Sequence, residues 1–471
     1  MSEEAGQITV LYGDFGSEIS IFDDTSNTEE LPDQTKLSLE TTNDVVPYIG
    51  QTILPHLCLK DESISLLKFS KTFTVDPTIP FPPYPQVMCD FYAKTSSWTM
   101  RRDCCSWDGV LCNELSGPVI ELDISCSQLV DEIPFEISHL SELRSLHLPV
   151  MVDIGKLRLE PHDFKLLLQN LTYLREFDLN GVNISSTIPP NLSSHLTTLR
   201  LYQTELFGIL PGSVFHLPKL KALALSQNPQ LSGYFSMTKW NSSASLMELD
   251  LNSVNFSSNF PESFGYLTSL QSLRLRSCNL WGPIPESLSN ITHIKYLFPD
   301  NNSVNGTIPF WIFSHNPSQS NLGLSSNYFS IATSSDQQGI LALLCVHLED
   351  FKNNSLVEIN LGDNQLQGHL PKSIQNLVNL DTLDLSSNNF SGHVDVSFFS
   401  NLKHLRVLDL SHNRNSLTNE NKVKVSLPKS LEYLRLAACE VKDLEFLRSV
   451  TNIQVLDLSS NNFCGDVDVS F

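Results

Sequence analysis

The sequence predicts a solenoid, a fold that grows by stacking one short structural repeat along a single axis. The pattern L-x-x-L-x-L-x-x-N-x-L-x-G-x-I-P recurs with a period of about 24 residues, and two of its cleanest copies begin at Leu270 and Leu356. Leucines at this period are typical of a leucine-rich-repeat solenoid of the α/β type, in which each repeat forms one strand and a return arc. No repeat buries its apolar edge alone, so neighbouring repeats must stack.

About fourteen repeats follow one another along residues 117–471. Their first positions are Val119, Leu143, Leu174, Leu196, Leu220, Leu246, Leu270, Ile294, Gln319, Leu356, Leu380, Leu405, Leu431 and Ile453. Position nine is Asn in seven of these repeats, namely Asn228, Asn302, Asn327, Asn364, Asn388, Asn413 and Asn461. Stacked carboxamides can satisfy the backbone N–H and C=O groups of successive turns. Because the chain stops part-way through a repeat with no second cap, we expect it to be truncated at its C-terminus.

Two further regions precede the repeats. Residues 1–55 carry eleven acidic side chains and one lysine, so they are predicted to be disordered or to derive from a mis-joined first exon. Residues 56–116 are predicted to form the N-terminal cap of the solenoid. Its apolar residues Ile64, Leu66, Leu67 and Phe69 fit a short amphipathic helix,. Trp98 and Trp107 are expected to cover the first coil.

The charge of the chain excludes several partners. Its formal net charge is −22, which argues against binding to nucleic acid or to an anionic membrane surface. No apolar run approaches the roughly 18 residues of a transmembrane helix. A secretory leader, with a basic start and a compact apolar stretch, is also not recognisable at the N-terminus.

The cysteines nevertheless indicate an oxidising compartment. Six of them lie in the cap and the first repeat: Cys58, Cys89, Cys104, Cys105, Cys112 and Cys126. We expect disulfides that staple the open end of the solenoid, with Cys58–Cys104, Cys105–Cys112 and Cys89–Cys126 favoured among the 15 possible pairings. A zinc site is the weaker alternative, because the sequence has no paired C-x-x-C motif and no histidine at ligand spacing nearby,. Cys278 and Cys439 replace the position-nine Asn and are expected to be buried thiols.

Glycosylation sequons support the same compartment. Ten N-x-[ST] sequons occur, at Asn170, Asn183, Asn191, Asn241, Asn255, Asn290, Asn301, Asn305, Asn353 and Asn389. Their positions within the repeats predict glycans along the flanks of the solenoid. Only Asn301 falls beside a strand, so the strand face would stay almost bare and free to bind another protein.

Three stretches of sequence carry a family resemblance. CCSWDGVLCNELSGPVIELDIS, from Cys104, resembles the N-terminal region of plant leucine-rich-repeat receptor-like proteins. VNISSTIPPNLSSHLTTLRL, from Val182, and TKWNSSASLMELDLNSVNF, from Thr238, resemble the Cf-type disease-resistance receptors of the nightshade family. The resemblance covers residues 55–471, and the G-x-I-P ending of the repeats is characteristic of plant extracellular proteins. The resemblance implies that the chain is the N-terminal part of the ectodomain of such a receptor-like protein.

The resemblance implies a cell-surface immune receptor without a kinase. Such proteins recognise a pathogen-derived protein or peptide outside the cell and signal through membrane receptor-like kinases as co-receptors. Full-length relatives carry a signal peptide and a single transmembrane helix, and neither is recognisable in this sequence. Two alternatives remain open: a secreted inhibitor of a pathogen cell-wall hydrolase, similar to polygalacturonase inhibitors, and a truncated relic without function.

No enzymatic chemistry is predicted. The kinase motif H-R-D, the G-x-S-x-G elbow and the zinc motif H-E-x-x-H are all missing from the sequence, and the single D-F-G, which begins at Asp14, stands without the other kinase motifs,. We therefore expect no catalytic residue, no cofactor and no metal. A recurring Asp at position five, as in Asp384 and Asp409, is interpreted as an ordinary polar choice on the strand face.

Ligand binding is expected where the strand face departs from the repeat consensus. Arg and aromatic residues are enriched at binding hot spots because they combine a large contact area with hydrogen-bond donors. The candidate positions are Arg200, Tyr202, Arg274, Arg276, Tyr296, Phe298, Tyr433 and Arg435.

Overall fold

The computed structural model of the chain describes residues 58–75, 92–127, 129–148, 156–235, 245–309, 311–314, 319–330, 355–418, 427–441, 446–447 and 450–461. All of these belong to one compact unit, Pro55–Phe471. The acidic segment 1–55 lies outside the described residues, as do the predicted sites at Cys89, Asn241 and Asn353. The predicted domain boundaries therefore stay predictions.

The described part of the chain is built around one sheet of 15 strands. With strands numbered in chain order, it contains β2 (Val110–Cys112), β3 (Val119–Asp123), β5 (Ser145–His147), β7 (Glu176–Asp178), β8 (Thr198–Arg200), β10 (Ala222–Ala224), β12 (Glu248–Asp250), β13 (Ser272–Arg274), β15 (Tyr296–Phe298), β17 (Asn321–Gly323), β19 (Glu358–Asn360), β21 (Thr382–Asp384), β23 (Val407–Asp409), β25 (Tyr433–Arg435) and β26 (Val455–Asp457). Strands β2 and β3 pair antiparallel, and every later pair of neighbours is parallel. From Leu143 onward, each predicted repeat start lies two residues before one of these strands.

Smaller sheets form along the next edge of the solenoid. They consist of β1 (Phe73–Val75), β4 (Leu129–Glu132) and β6 (Leu157–Arg158); β9 (Gly208–Ile209) and β11 (Leu231–Ser232); β14 (Trp281–Gly282), β16 (Ser303–Gly306) and β18 (Tyr328–Phe329); and β20 (Gln367–Gly368), β22 (Asn389–Asp395) and β24 (Arg414–Thr418). Three α-helices, α1 (Lys60–Thr72), α2 (Pro161–Asn170) and α3 (Trp311–Ser314), are described. Short 3-10 helices, such as Glu262–Tyr266 and Glu286–Asn290, complete the return arcs.

The core is a stack of leucines that repeats in register. In one repeat, Leu270, Leu273 and Leu275 are fully buried. Leu273 pairs laterally with Leu249 and with Leu297, so each leucine packs on the same position of the neighbouring coil. This arrangement confirms the predicted leucine-rich-repeat solenoid.

A ladder of asparagines joins the coils at position nine. The Nδ2 of Asn228 donates to the carbonyl oxygens of Leu201 and Leu225, at 2.8 and 2.9 Å. Its Oδ1 accepts from the backbone N–H groups of Thr204 and Leu206, at 3.1 and 2.9 Å. The Nδ2 also donates to the carbonyl oxygen of Ser226 at 3.3 Å. One buried carboxamide therefore bonds five backbone groups, three of them in the preceding repeat.

The two cysteines at position nine perform part of the same task. The Sγ of Cys278 donates to the carbonyl oxygen of Leu251 at 3.1 Å, and that of Cys439 to Leu410 at 2.9 Å. Both are free and buried, and burial raises the pKa of each thiol to about 12. They are therefore structural thiols with little nucleophilic character.

The cap is held on the first coil by stacked rings and by a buried carboxylate. Trp98 stacks on Trp107 and on Phe69, with ring centroids 5.5 and 6.2 Å apart. Glu62 accepts the backbone N–H of Val119 at 2.9 Å, and burial raises its pKa. The predicted helix forms as α1, but its buried face contains Glu62, Ser65, Leu66 and Phe69.

Ile64, one of the four apolar residues that predict this helix, lies outside its buried face. The isoleucine is exposed, because the face that packs on the first coil passes through Glu62, Leu66 and Phe69, positions three or four residues apart,. Burial of Glu62 could not be predicted from the pattern of apolar residues, because glutamate is a charged residue.

The cysteines of the cap are bonded within this layer. Disulfides join Cys58 to Cys104 and Cys105 to Cys112, with Cα–Cα distances of 5.6 and 5.4 Å. Cys126 is also disulfide-bonded, and its predicted partner lies outside the described residues. The four sulfur atoms of the two described bridges lie within 4.8 Å of one another.

Two leucine positions of the core hold amides instead. Gln319 occupies the first position of its repeat, and Asn415 occupies position eleven of a later one. Both side chains are buried, and within the described part of the chain neither amide has a hydrogen-bond partner for its oxygen or its nitrogen. A buried polar group without a partner costs about 1–3 kcal/mol.

We therefore expect Gln319→Leu and Asn415→Leu each to raise the free energy of unfolding by about 1–3 kcal/mol, because each removes an unpaired amide and completes the leucine stack. Urea unfolding followed by circular dichroism measures the change. The matched control is Asn413→Leu, which removes a carboxamide bonded to Leu385 and Leu410 and should destabilise. A loss of stability in both Gln319→Leu and Asn415→Leu would contradict this explanation.

Candidate ligand-binding face

The outward side chains of the 15-stranded sheet form what we call the sheet face. It consists of the residues at positions three, five and seven of each repeat, since positions four and six point into the core. In-register pairing arranges these side chains in rows across the coils. Arg200, Ala224, Asp250, Arg274 and Phe298 form one such row.

The eight predicted binding residues fall into two groups on this face. The first group contains Arg200, Tyr202, Arg274, Arg276, Tyr296 and Phe298, which lie on β8, β13 and β15 or directly after them. The second group, Tyr433 and Arg435, lies on β25, five strands beyond β15. At a strand spacing of about 4.8 Å, the two groups are about 24 Å apart. They are therefore separate surfaces.

Arg274 is already engaged within the protein. Glu248 lies between two arginines, with its carboxylate 3.3 Å from Nη2 of Arg200 and 3.9 Å from Nη1 of Arg274. The guanidinium of Arg274 also lies over the ring of Tyr296, 5.7 Å from its centroid,. Only 16% of the Arg274 side chain is exposed. This arginine positions its neighbours and offers little charge to a ligand.

Arg276 is the available cation of the first group. It is exposed, and its backbone N–H donates to Oδ1 of Asn252 at 2.7 Å, which fixes the chain at this point. Among the described residues its guanidinium makes no hydrogen bond or ion pair. Its charge acts favourably on the carboxylate of Asp300. A carboxylate brought by a ligand would meet an unpaired guanidinium here.

An aromatic pair lies beside this arginine. Tyr296 and Phe298 are two residues apart on β15, and their rings stack with centroids 6.4 Å apart. Gly323 leaves room for this arrangement, because a Cβ at that position would collide with the ring of Phe298 and the carboxylate of Asp300. The result is an apolar platform with a glycine at its edge.

Asp300 is a partly buried carboxylate next to this platform. It accepts hydrogen bonds from the backbone N–H and the Oγ of Ser325, at 3.1 and 3.0 Å. Burial raises its pKa to about 6 in spite of these bonds and of Arg276. Asp300, Glu248 and Gly323 were missed in the sequence, where nothing distinguishes them until neighbouring repeats are placed side by side.

The recurring aspartates at position five end their strands. Oδ1 of Asp384 accepts the backbone N–H of Ser386 at 2.9 Å, and Oδ1 of Asp409 accepts that of Ser411 at 2.9 Å. Burial raises the pKa of Asp384. Within the described part of the chain, the four disulfide-bonded cysteines of the cap are the one cluster of three or more potential metal ligands.

The second group of predicted residues is partly engaged. Arg435 lies 3.6 Å from the carboxylate of Asp409, and the hydroxyl of Tyr433 donates to Oε1 of Gln454 at 3.3 Å. About a third of the Arg435 side chain, 34%, remains exposed. This surface is the weaker candidate for ligand binding.

Eight of the ten sequon asparagines are described. Asn183, Asn255, Asn305 and Asn389 lie at or beside the smaller sheets on the flank. Asn170 and Asn290 end α2 and a 3-10 helix, and Asn191 is exposed in a loop. Asn301 lies nearest the sheet face, where its Nδ2 donates to Oγ of Ser277 at 2.8 Å.

Comparison with known proteins confirms the resemblance. A family model described as Leucine Rich Repeat matches residues 269–291, 355–377 and 379–402. The receptor-like protein Cf-9 of Solanum pimpinellifolium is 44% identical over 271 residues, which cover 46% of this chain and 31% of that protein. The receptor-like protein 9DC1 of the same species is 42% identical over 276 residues, covering 47% and 32%. The match thus spans about a third of the length of these relatives.

Solved structures share the fold over most of the chain. The complex PEPR1-AtPEP1 aligns with a TM-score of 0.62 and 27% identity, covering 87% of this chain and 53% of that one. The ectodomain of the Arabidopsis receptor kinase HAESA, in complex with an extended IDA peptide hormone, gives 0.66 and 26%, covering 86% and 62%. Among the described helices of our chain, none has the length and apolarity to cross a bilayer.

The raised pKa of Asp300 predicts a pH-dependent contribution to stability. Between pH 3.8 and about pH 6, the folded chain keeps a proton on Asp300 that the unfolded chain has released. Folding is therefore more favourable at low pH, and this advantage is lost as the pH rises through 6. Asp300→Asn removes this dependence. Its melting temperature should exceed that of the wild type by more at pH 7.5 than at pH 4.5.

Differential scanning fluorimetry at both pH values measures this difference. Asp363→Asn is the control, because it makes the same chemical change at an exposed aspartate. If the gain from Asp300→Asn were equal at the two pH values, Asp300 would not be the buried group described here.

Proposed function

We propose that the chain is the N-terminal part of the ligand-recognition ectodomain of a kinase-less plant immune receptor-like protein. It acts by binding and carries out no catalysis. The sheet face receives a pathogen-derived protein or peptide outside the cell, and the full-length protein passes the signal to membrane receptor-like kinases as co-receptors. The match to Cf-9 and 9DC1 supports this proposal over the part of those proteins that it covers.

The observation that carries the proposal is the exposed Arg276 beside the Tyr296–Phe298 platform, with no ion pair to any described residue. In a chain with a net charge of −22, an exposed cation of this kind is complementary to a carboxylate on a ligand. The neighbouring rings supply apolar contact area, and Gly323 has no side chain that would collide with the ring of Phe298. These features favour an extended peptide segment that carries an acidic group next to apolar side chains.

The bonded cysteines and the sequons support an extracellular location. Disulfides persist in oxidising compartments, and the cap of this chain holds two described bridges. Most described sequons lie away from the sheet face, so glycans at these positions would leave Arg276 and its neighbours open to a ligand. The plasma membrane is the proposed location of the full-length protein.

An inhibitor of a pathogen polygalacturonase is the alternative. It would use the same cap and repeat but would reduce the activity of a purified fungal polygalacturonase when the secreted chain is added. A receptor ectodomain would leave that activity unchanged. This assay separates the two functions without knowledge of the ligand.

Binding to a synthetic peptide array tests the proposed face. The array tiles the secreted proteins of a leaf pathogen of the nightshade family and is probed with the full chain. We expect binding to peptides that contain Asp or Glu beside apolar residues. Arg276→Glu should weaken this binding by at least about tenfold, since a hydrogen bond to a charged group contributes about 1.5–3 kcal/mol.

Two further variants make the test specific. Arg414→Glu is the matched control, because Arg414 is exposed on the flank strand β24, away from the sheet face, and it should bind as the wild type does. Arg274→Glu should change stability through Glu248 as well as binding. If Arg276→Glu and Arg414→Glu bound every peptide equally well, the sheet face would not be the recognition surface.

A further inference from the structure

Two exposed aromatic side chains lie close together on the flank, away from the sheet face. Trp281 is 50% exposed on β14, and Tyr328 is 54% exposed on β18. Strand β16 lies between them and pairs with both. Neither ring contributes to the core, and neither belongs to the proposed recognition surface.

The sequon residue Asn305 lies on the strand between these rings. Val304 and Phe329 are fully buried, so Asn305 and Tyr328, their neighbours in sequence, face outward. Asn305 pairs directly with Tyr328, while Trp281 pairs with Ser303, two residues earlier on the same outward face. A direct pair is about 5 Å apart and a diagonal pair about 7–8 Å. Both rings are thus within reach of a group attached to Asn305.

We infer that an N-linked glycan on Asn305 packs its first sugar against Tyr328 and Trp281. The inference rests on the proposed extracellular function, since only a chain in the secretory pathway receives such glycans. The glycan would join three successive repeats from the outside and cover apolar surface that otherwise faces water.

The chemistry of the three groups is complementary. One face of an N-acetylglucosamine ring carries only C–H groups, which pack on the electron-rich face of an aromatic ring. Tyrosine and tryptophan also offer an O–H or N–H at the edge, which can donate to the hydroxyl groups of the sugar. The neighbouring Gly306 adds no side chain beside the modified asparagine.

Asn389 provides a control on an equivalent strand. It lies on β22 and pairs with Gln367, and position 391 of the same strand pairs with Arg414. Its partner residues are polar, and no aromatic side chain corresponds to Tyr328. A glycan on Asn389 should therefore extend freely into solvent.

The rate of enzymatic trimming at each site tests the inference. The full chain is secreted with high-mannose glycans and treated, folded, with endoglycosidase H, which cuts after the first sugar. Mass spectrometry of glycopeptides then gives separate rates for Asn305 and Asn389. We expect slower trimming at Asn305 by severalfold. The double variant Trp281→Ser/Tyr328→Ser should accelerate trimming at Asn305 and leave Asn389 unchanged, whereas Tyr328→Phe should stay slow.

Each other outcome overturns the inference. If Asn389 and other sequons carry glycans but the double variant leaves trimming at Asn305 unchanged, the rings do not hold the sugar and the proposed function is untouched. If no sequon of the secreted chain carries a glycan, both the inference and the extracellular function fail. Both rings are half-exposed, so their substitution preserves the core, and an unchanged circular dichroism spectrum verifies this.

Discussion

The hydrogen bonds of the position-nine ladder are the constraint on which the rest of the structure depends. Each coil turns sharply away from the sheet, and the turn leaves backbone N–H and C=O groups inside the protein. Asn228 shows how they are satisfied, with three carbonyl oxygens and two N–H groups bonded to one carboxamide. Because three of these groups belong to the preceding coil, the ladder also fixes the stacking and hence the register of the sheet face.

The register in turn determines which variable side chains meet. Glu248 lies between Arg200 and Arg274 although it is 48 and 26 residues away from them in sequence. Arg274 and Arg276 are two residues apart on the same face, but Glu248 pairs with Arg274. Arg276 has no ion pair among the described residues. The proposed recognition surface is therefore a consequence of stacking, and a one-repeat insertion between β13 and β15 would separate Arg276 from Tyr296 and Phe298,.

Much of the fold follows from the sequence because the leucine period is a repeated signal. In the 15-stranded sheet, the strands from β5 onward begin two residues after the predicted first positions. The cap helix forms as predicted, and the two tryptophans of the cap stack on each other. The candidate binding site was harder to predict from the sequence than the fold. Burial of Asp300, the ion pairs of Glu248 and the unpaired amides of Gln319 and Asn415 depend on lateral neighbours, which a repeat pattern does not specify at its variable positions. Glu62 was hidden for a related reason, since its partner is a backbone N–H of Val119.

Hydrogen–deuterium exchange on Asn228→Ala tests the central claim most directly. If the ladder holds the coils, the backbone N–H groups of Thr204 and Leu206 should exchange much faster in the variant, because both lose their acceptor. Strand β10, whose bonds to β8 and β12 remain, should keep its protection. Unchanged protection at Thr204 and Leu206 would mean that leucine packing alone sets the stack, and would contradict the account.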